Sequence, residues 1–179
     1  MGFKATKKNG RFWDDVKKLD STIKNTSFNK TFKSEREFEA AFSAILSHEQ
    51  SSFNCEVISQ TDGAASVESV KCMGKNYRPD LTLDRDGVAV ELKHIKYDGL
   101  KDAIGQAYLY RLKYRFVFLV LIISKERQSV YEELDKEQDL KDALQHLADN
   151  MKIFTYIVPA FKPKSGTKKC YSFFEPLNS

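Results

Sequence analysis

The chain has 179 residues, a formal net charge of +4, 41% hydrophobic and 30% charged residues, which is ordinary for one soluble domain with a real apolar core. Cys55, Cys72 and Cys170 are far apart, odd in number and form no Cys-x-x-Cys, which argues against zinc and a disulfide framework and excludes a cluster held by four cysteines. The N-terminus has no apolar signal core, and the longest apolar run, Phe116 to Ile123, is too short to span a bilayer, so a cytoplasmic protein without membrane contact is expected.

Residues 1–33 hold nine cations (Lys4, Lys7, Lys8, Arg11, Lys17, Lys18, Lys24, Lys30 and Lys33) against Asp14, Asp15 and Asp20, so this segment carries +6 and the rest −2. A basic arm on a near-neutral body fits phosphate contact. Taken alone, a solvated terminus is the simpler account. Phe12, Val16, Leu19 and Ile23 recur at helical spacing within it. The domain division expected is a basic N-terminal arm with an amphipathic helix at 1–33 and a main domain at 34–179.

The next helix has a sharp start. Ser34 followed by Glu37 forms a capping box, and Phe38, Ala41, Phe42, Ile45 and Leu46 form an apolar stripe, which predicts a helix from Glu35 to about His48. Cys55–Ser59 and Val67–Met73 have strand character. Tyr77–Leu83 and Val88–Ile95 flank Asp84-Arg85-Asp86-Gly87, a hairpin turn signature. After Asp98-Gly99 a helix runs to about Lys113. Phe116–Ile123 is uninterrupted and apolar, as in a strand buried on both faces. A helix over roughly Glu133–Asn150 turns Leu140, Leu144 and Leu147 inward, and Met151–Val158 is a strand. Pro163, Ser165-Gly166 and Tyr171–Phe174 suggest a final hairpin. This order predicts an α/β domain with a mixed sheet between helices, in which the crossover from Ile95 to Phe116 makes parallel neighbours.

Chemistry concentrates on the hairpin. Glu91 and Lys93 are two apart on one strand and share a face. Whether Asp80 joins them depends on the turn. A two-residue turn at Arg85-Asp86 sets Asp80 opposite Glu91, and one at Asp86-Gly87 sets it opposite Lys93. Both group the three residues. A three-residue loop sets Asp80 opposite Leu92 and separates it unless a bulge intervenes. The sequence leaves these turns open. Two carboxylates and a lysine make a poor core but a good site. Hard oxygens hold Mg²⁺ or Mn²⁺, the metal acidifies a bound water, and the lysine orients or deprotonates that water and stabilises the transition state.

Pro79-Asp80, ten intervening residues and Glu91-Leu92-Lys93 resemble the signature of the PD-(D/E)XK nuclease superfamily, which carries it on strand–turn–strand. Gln106-Ala107-Tyr108-Leu109-Tyr110 resembles the Gln-x-x-x-Tyr motif of its RecB-type members, on the helix that follows. The resemblance covers about residues 34–124. It implies a restriction-endonuclease-like three-layer fold with an α-β-β-β-α-β core, and Mg²⁺- or Mn²⁺-dependent cleavage of DNA. It implies Asp80 and Glu91 as metal ligands with help from the Leu92 carbonyl, and Lys93 as the catalytic lysine. A helix glutamate joins them. Glu37 is engaged in the capping box, and Glu35, which shares a face with Phe38, Phe42 and Ile45, is preferred over Glu39. Gln106 and Tyr110, at i and i+4 on one face, are expected to reach the DNA or steady the site.

Each feature also has a plainer account: a solvated strand for Glu91 and Lys93, a helix surface and core rim for Gln106 and Tyr110. His48, His94 and His146 are expected to be structural or exposed. Tyr97, Tyr108 and Tyr114 either stack on bases or fill a helix–sheet interface. Lys96, Lys101, Arg111, Lys113 and Arg115 either track phosphates or form a solvated face. The rival function is a non-catalytic nucleic-acid-binding or protein-interaction module on the same fold. An oligomer and a partner protein are both left open.

Overall fold

The computed structural model describes residues 3–26, 34–60, 67–95, 99–161 and 170–174. In chain order the elements are α1 (Arg11–Asn25), α2 (Glu35–His48), β1 (Val57–Ser59), β2 (Val70–Cys72), β3 (Lys75–Tyr77), β4 (Leu81–Leu83), β5 (Val88–His94), α3 (Gly99–Tyr110), β6 (Phe116–Ile123), α4 (Gln128–Glu133), α5 (Gln138–His146), β7 (Ile153–Pro159) and β8 (Tyr171–Phe173). Six strands form one sheet in the order β1-β4-β5-β6-β7-β8, and β2 pairs with β3 in a separate hairpin. β5, β6 and β7 run parallel; the other neighbours are antiparallel. The protein is thus α/β with a mixed sheet flanked by helices, and the β5–β6 crossover is parallel as expected.

Alternation along β6 divides the core. Phe116, Phe118, Val120 and Ile122 face one side, where Trp13, Val16, Leu19 and Ile23 of α1 and Phe38, Phe42 and Leu46 of α2 pack. Val117, Leu119, Leu121 and Ile123 face the other, against Ala103, Ala107 and Tyr110 of α3, Tyr131 of α4 and Leu144 of α5. Burial on both faces is why β6 shows no polar alternation. α2 begins where the capping residues place it: Ser34, in extended conformation, accepts the Glu37 N–H at 3.2 Å. Among the described residues no helix is long and apolar enough to cross a membrane.

Several expected boundaries move. Tyr77–Leu83 is two strands, not one. Pro79 has no N–H for a ladder and restricts Arg78, so β3 ends at Tyr77 and β4 begins at Leu81. Val67–Met73 shortens to β2. The helix after Gly99 ends at Tyr110, and the last strand of the parallel set begins at Ile153 rather than Met151. The helix expected over Glu133–Asn150 starts earlier, at Gln128, and is interrupted by a 3₁₀ turn at Leu134–Lys136. In one straight helix Tyr131 and Leu144 would lie roughly 220° apart around the axis; the break turns both to the same core. The helical path then continues as a wider turn over Leu147–Met151. Of the expected terminal hairpin, Tyr171–Phe173 pairs antiparallel with β7, while Pro163, Ser165 and Gly166 lie outside the described residues.

Candidate active site

The turn left open by the sequence is resolved by pairing. Leu83 faces Val88, Thr82 faces Ala89 and Leu81 faces Val90. One step further, Asp80 falls opposite Glu91, the register of the turn at Arg85-Asp86. The loop itself is four residues, Asp84–Gly87, and opens with Asp84 at a φ of 62°. It closes on Gly87, where a Cβ would lie 2.6 Å from the Leu83 carbonyl oxygen and 2.5 Å from the Phe12 ring. No side chain fits there without displacing backbone.

Parity places Asp80, Glu91 and Lys93 on the α3 side of the sheet, with Ala89. Leu81, Val90 and Leu92 point to the other core. The Asp80 Oδ2 accepts the Leu92 N–H at 2.7 Å. Glu91, only 2% exposed, is held from two sides. Its Oε2 accepts the Tyr110 hydroxyl at 3.0 Å, and its Oε1 lies 2.9 Å from the Lys93 Nζ. Glu35 comes from the first turn of α2, beyond the far end of β5. Its Oε2 accepts the His94 N–H at 2.9 Å, and its Oε1 is 3.4 Å from the Lys93 Nζ. Lys93 therefore bridges a strand glutamate and a helix glutamate. Glu39, one turn further along α2, feels both Glu35 and Lys93.

The electrostatics follow from burial. Desolvation, then repulsion by Glu91, pushes the Asp80 carboxyl up to about 8; the Leu92 N–H and Lys93 oppose this. Desolvation raises Glu91 too, against the pull of Lys93 and the Tyr110 hydroxyl. Burial alone would lower the pKa of Lys93, but Glu91, Glu35 and Asp80 outweigh it and hold the ammonium above its ordinary range. Burial and its bond to Glu91 keep the Tyr110 phenol protonated. Glu39 is raised by burial and by Glu35.

Of the two motif residues on α3, Tyr110 reaches the site. It is 1% exposed and its hydroxyl is directed at Glu91, so it steadies the carboxylate. The Gln106 Oε1, one turn earlier, is buried without a hydrogen-bond partner. Residue Gln60 was not singled out from sequence. Its side-chain amide donates to the carbonyls of Pro79 at 2.7 Å and Arg78 at 3.1 Å, and its N–H donates to the Asp80 carbonyl at 3.0 Å. It clamps the segment that carries Asp80. Only strand pairing reveals it, because β1 meets β4 across a long stretch of sequence.

Three candidate phosphate contacts have structural partners. Arg111 donates to the carbonyls of Met151, Tyr114 and Lys4. Lys113 pairs with Glu68, and Arg115 with Asp86. Lys101 is exposed. Tyr114 is buried and donates to the Glu68 carbonyl at 2.7 Å, so it is core. Tyr108 is partly exposed, edge-on to Phe3. The His94 Nε2 is buried without a partner. Lys96 and Tyr97 lie outside the described residues.

Among the described residues no group of three or more His, Cys, Asp and Glu side chains is gathered to hold a metal. Asp80 and Glu91 form a pair. Their donor chemistry nonetheless suits a hard divalent cation, which takes few protein oxygens and keeps several waters. A buried carboxyl raised by a second one beside it, as Asp80 is by Glu91, is the arrangement such a charge relieves. Comparison with models of protein families, with curated proteins and with solved structures finds no match to this chain.

Proposed function

We propose that this chain is a Mg²⁺- or Mn²⁺-dependent nuclease that hydrolyses phosphodiester bonds in DNA on a restriction-endonuclease-like fold. The observation that carries the reading is the register of β4 on β5, which sets Asp80 opposite Glu91 with Lys93 on the same face. The likeness of Pro79-Asp80…Glu91-Leu92-Lys93 and of Gln106…Tyr110 to the PD-(D/E)XK and RecB-type motifs supports the substrate and the metal. Asp80, Glu91 and the Leu92 carbonyl would hold the ion, which when bound supplies an acidified water and charge neutralisation at the phosphate. Tyr110 and the Leu92 N–H fix the two carboxylates in place. Lys93, kept cationic by the surrounding acids, serves as a positive charge beside the developing negative charge rather than as a base. Glu35 orients that ammonium.

The test is a cleavage assay on linear, circular, single-stranded and branched DNA with either metal. The parent degrades DNA, and Asp80→Ala and Lys93→Ala abolish cleavage. If both variants cleave like the parent, the site is elsewhere.

One observation favours a second reading, a non-catalytic nucleic-acid-binding module. The polar groups of the site already engage one another, Glu91 with Lys93 and Tyr110, Asp80 with Leu92. Titration calorimetry separates the two. Absence of Mn²⁺ binding at millimolar metal, with DNA binding intact, selects the module.

A further inference from the structure

The β2–β3 hairpin has no part in the chemistry above, yet its second strand runs through Arg78 and Pro79 directly into Asp80. Its turn is Met73-Gly74, joining Cys72 to Lys75, with φ of 46° and 77°. A two-residue hairpin turn with both φ positive favours Asn, Asp or Gly at its first position, since these tolerate the left-handed region. Met73 has no such tolerance. Its side chain is also 97% exposed, far beyond Tyr108 at 44%, Phe3 at 42% and Val130 at 37%. The free protein therefore holds an apolar side chain in an unfavourable conformation where it buries nothing.

The surroundings of Met73 are basic. Lys71, Lys75, Asn76 and Arg78 are exposed, and none of the three cations makes an ion pair among the described residues. The acid of this segment, Glu68, is taken up by Lys113. The hairpin is also firmly seated. Val70 is buried in the α3 core with Tyr77 against it, and the Tyr114 hydroxyl donates to the Glu68 carbonyl at 2.7 Å. The same core contains Tyr110, which holds Glu91. Tip and site therefore share one support.

We propose that this hairpin is a DNA wedge: Met73 inserts against the stacked bases of a duplex while Lys71, Lys75 and Arg78 contact the flanking phosphates. The inference rests on the part of the reading above by which this chain binds DNA. An apolar side chain pressed between base steps is a known use of methionine in nucleic-acid recognition, and cations beside it neutralise the backbone. From Tyr77 to Lys75 the strand rises about 7 Å, about two nucleotide steps of duplex at ~3.4 Å each, and the Met73-Gly74 turn caps it. The hairpin thus sets how far the scissile phosphate lies from the unstacked step. An apolar tip ringed by lysines also suits an anionic membrane; the support shared with Tyr110 and Glu91 favours DNA.

The test uses the full chain in EDTA, which stops cleavage, with duplexes carrying 2-aminopurine at successive positions. Met73→Asn puts a residue suited to the turn at the tip, so the thermal midpoint holds or rises. The parent raises 2-aminopurine emission at one step. Met73→Asn loses that rise and binds about tenfold more weakly, the scale of one lost base contact, with the salt dependence unchanged. Lys71→Ala and Lys75→Ala each lower the slope of log affinity against log salt by about 1 and keep the emission rise. The wedge is overturned if Met73→Asn binds and unstacks like the parent, if the parent does not bind duplex, or if it prefers phosphatidylserine vesicles to DNA. Cleavage by the parent in Mg²⁺ with an unaffected Met73→Asn sinks the wedge alone. Unstacking by the parent without cleavage in Mg²⁺ or Mn²⁺ sinks the nuclease reading and leaves the wedge standing.

Discussion

Asp80→Asn keeps the shape of the side chain and removes one of two facing carboxyls. Burial and Glu91 raise Asp80 from an ordinary 3.8 to about 8. The folded chain therefore keeps a proton that the unfolded chain releases. That contribution to stability is complete below about pH 4 and is lost as the pH climbs to about 8. At about 1.4 kcal/mol per unit, it is on the order of 4–6 kcal/mol across the window. Glu91 is shifted in the same direction and stays in the variant. Lys93, held above its ordinary value, loses its contribution only above roughly pH 10, outside the window. The assay is urea unfolding of the metal-free chain from pH 4.5 to 8.5, parent against variant. The parent loses stability toward pH 8.5 more steeply than Asp80→Asn, so their difference grows in favour of the variant. Millimolar Mg²⁺ at pH 8 then raises the parent's midpoint by mass action and leaves the variant's unchanged. A parent–variant difference that is constant with pH refutes the reasoning.

Tyr110→Phe deletes a hydroxyl donated to a carboxylate when both residues are buried; a loss of about 1.5–3 kcal/mol is expected from denaturant midpoints at pH 8. Gly87→Ala presses a methyl group against the Leu83 carbonyl and the Phe12 ring and is expected to cost about 1–3 kcal/mol. In a Phe12→Ala background the same substitution still destabilises, because the backbone contact remains; relief to zero there would assign the strain to the ring alone. Trp13→Ala removes a buried ring stacked on Phe174 and packed against Phe116 and Phe154. A loss of about 3–5 kcal/mol is expected, read as a fall in thermal midpoint; an unchanged midpoint would mean that α1 does not belong to the core.

Local signals carried far into the fold. Ser34 and Glu37 place the start of α2, and the uninterrupted run Phe116–Ile123 places β6, because capping and two-sided burial leave their mark within a few residues. Pro79 marks the division of the strand expected over Tyr77–Leu83 just as locally. The hairpin register was not legible, since more than one turn is sterically sound. What selects it is remote in sequence: Arg115 donates its N–H to the Asp86 and Gly87 carbonyls, Lys4 pairs with Asp86, Arg11 pairs with Asp84, and Phe12 covers Gly87. The pairing of Asp80, Glu91 and Lys93 thus depends on the N-terminal segment. Remoteness also hid Gln60, and it hid the partners of Arg111, Lys113 and Arg115, whose positive charge alone suggested phosphate contacts.

The position of β6 in the sheet bears on how the chain reaches its native state. Phe116–Ile123 has no charge, no proline and several β-branched residues, the composition of a segment that self-associates when its edges are open. One edge is covered by β5, which precedes it; the other waits for β7, at Ile153–Pro159. During synthesis the most adhesive strand emerges long before its second neighbour. Both of its pairings are parallel and non-local, which makes closure slow. A chain truncated ahead of Ile153 keeps Asp80, Glu91, Lys93 and Tyr110 but leaves one edge of β6 bare, and it is expected to collect as aggregate rather than as a smaller folded domain.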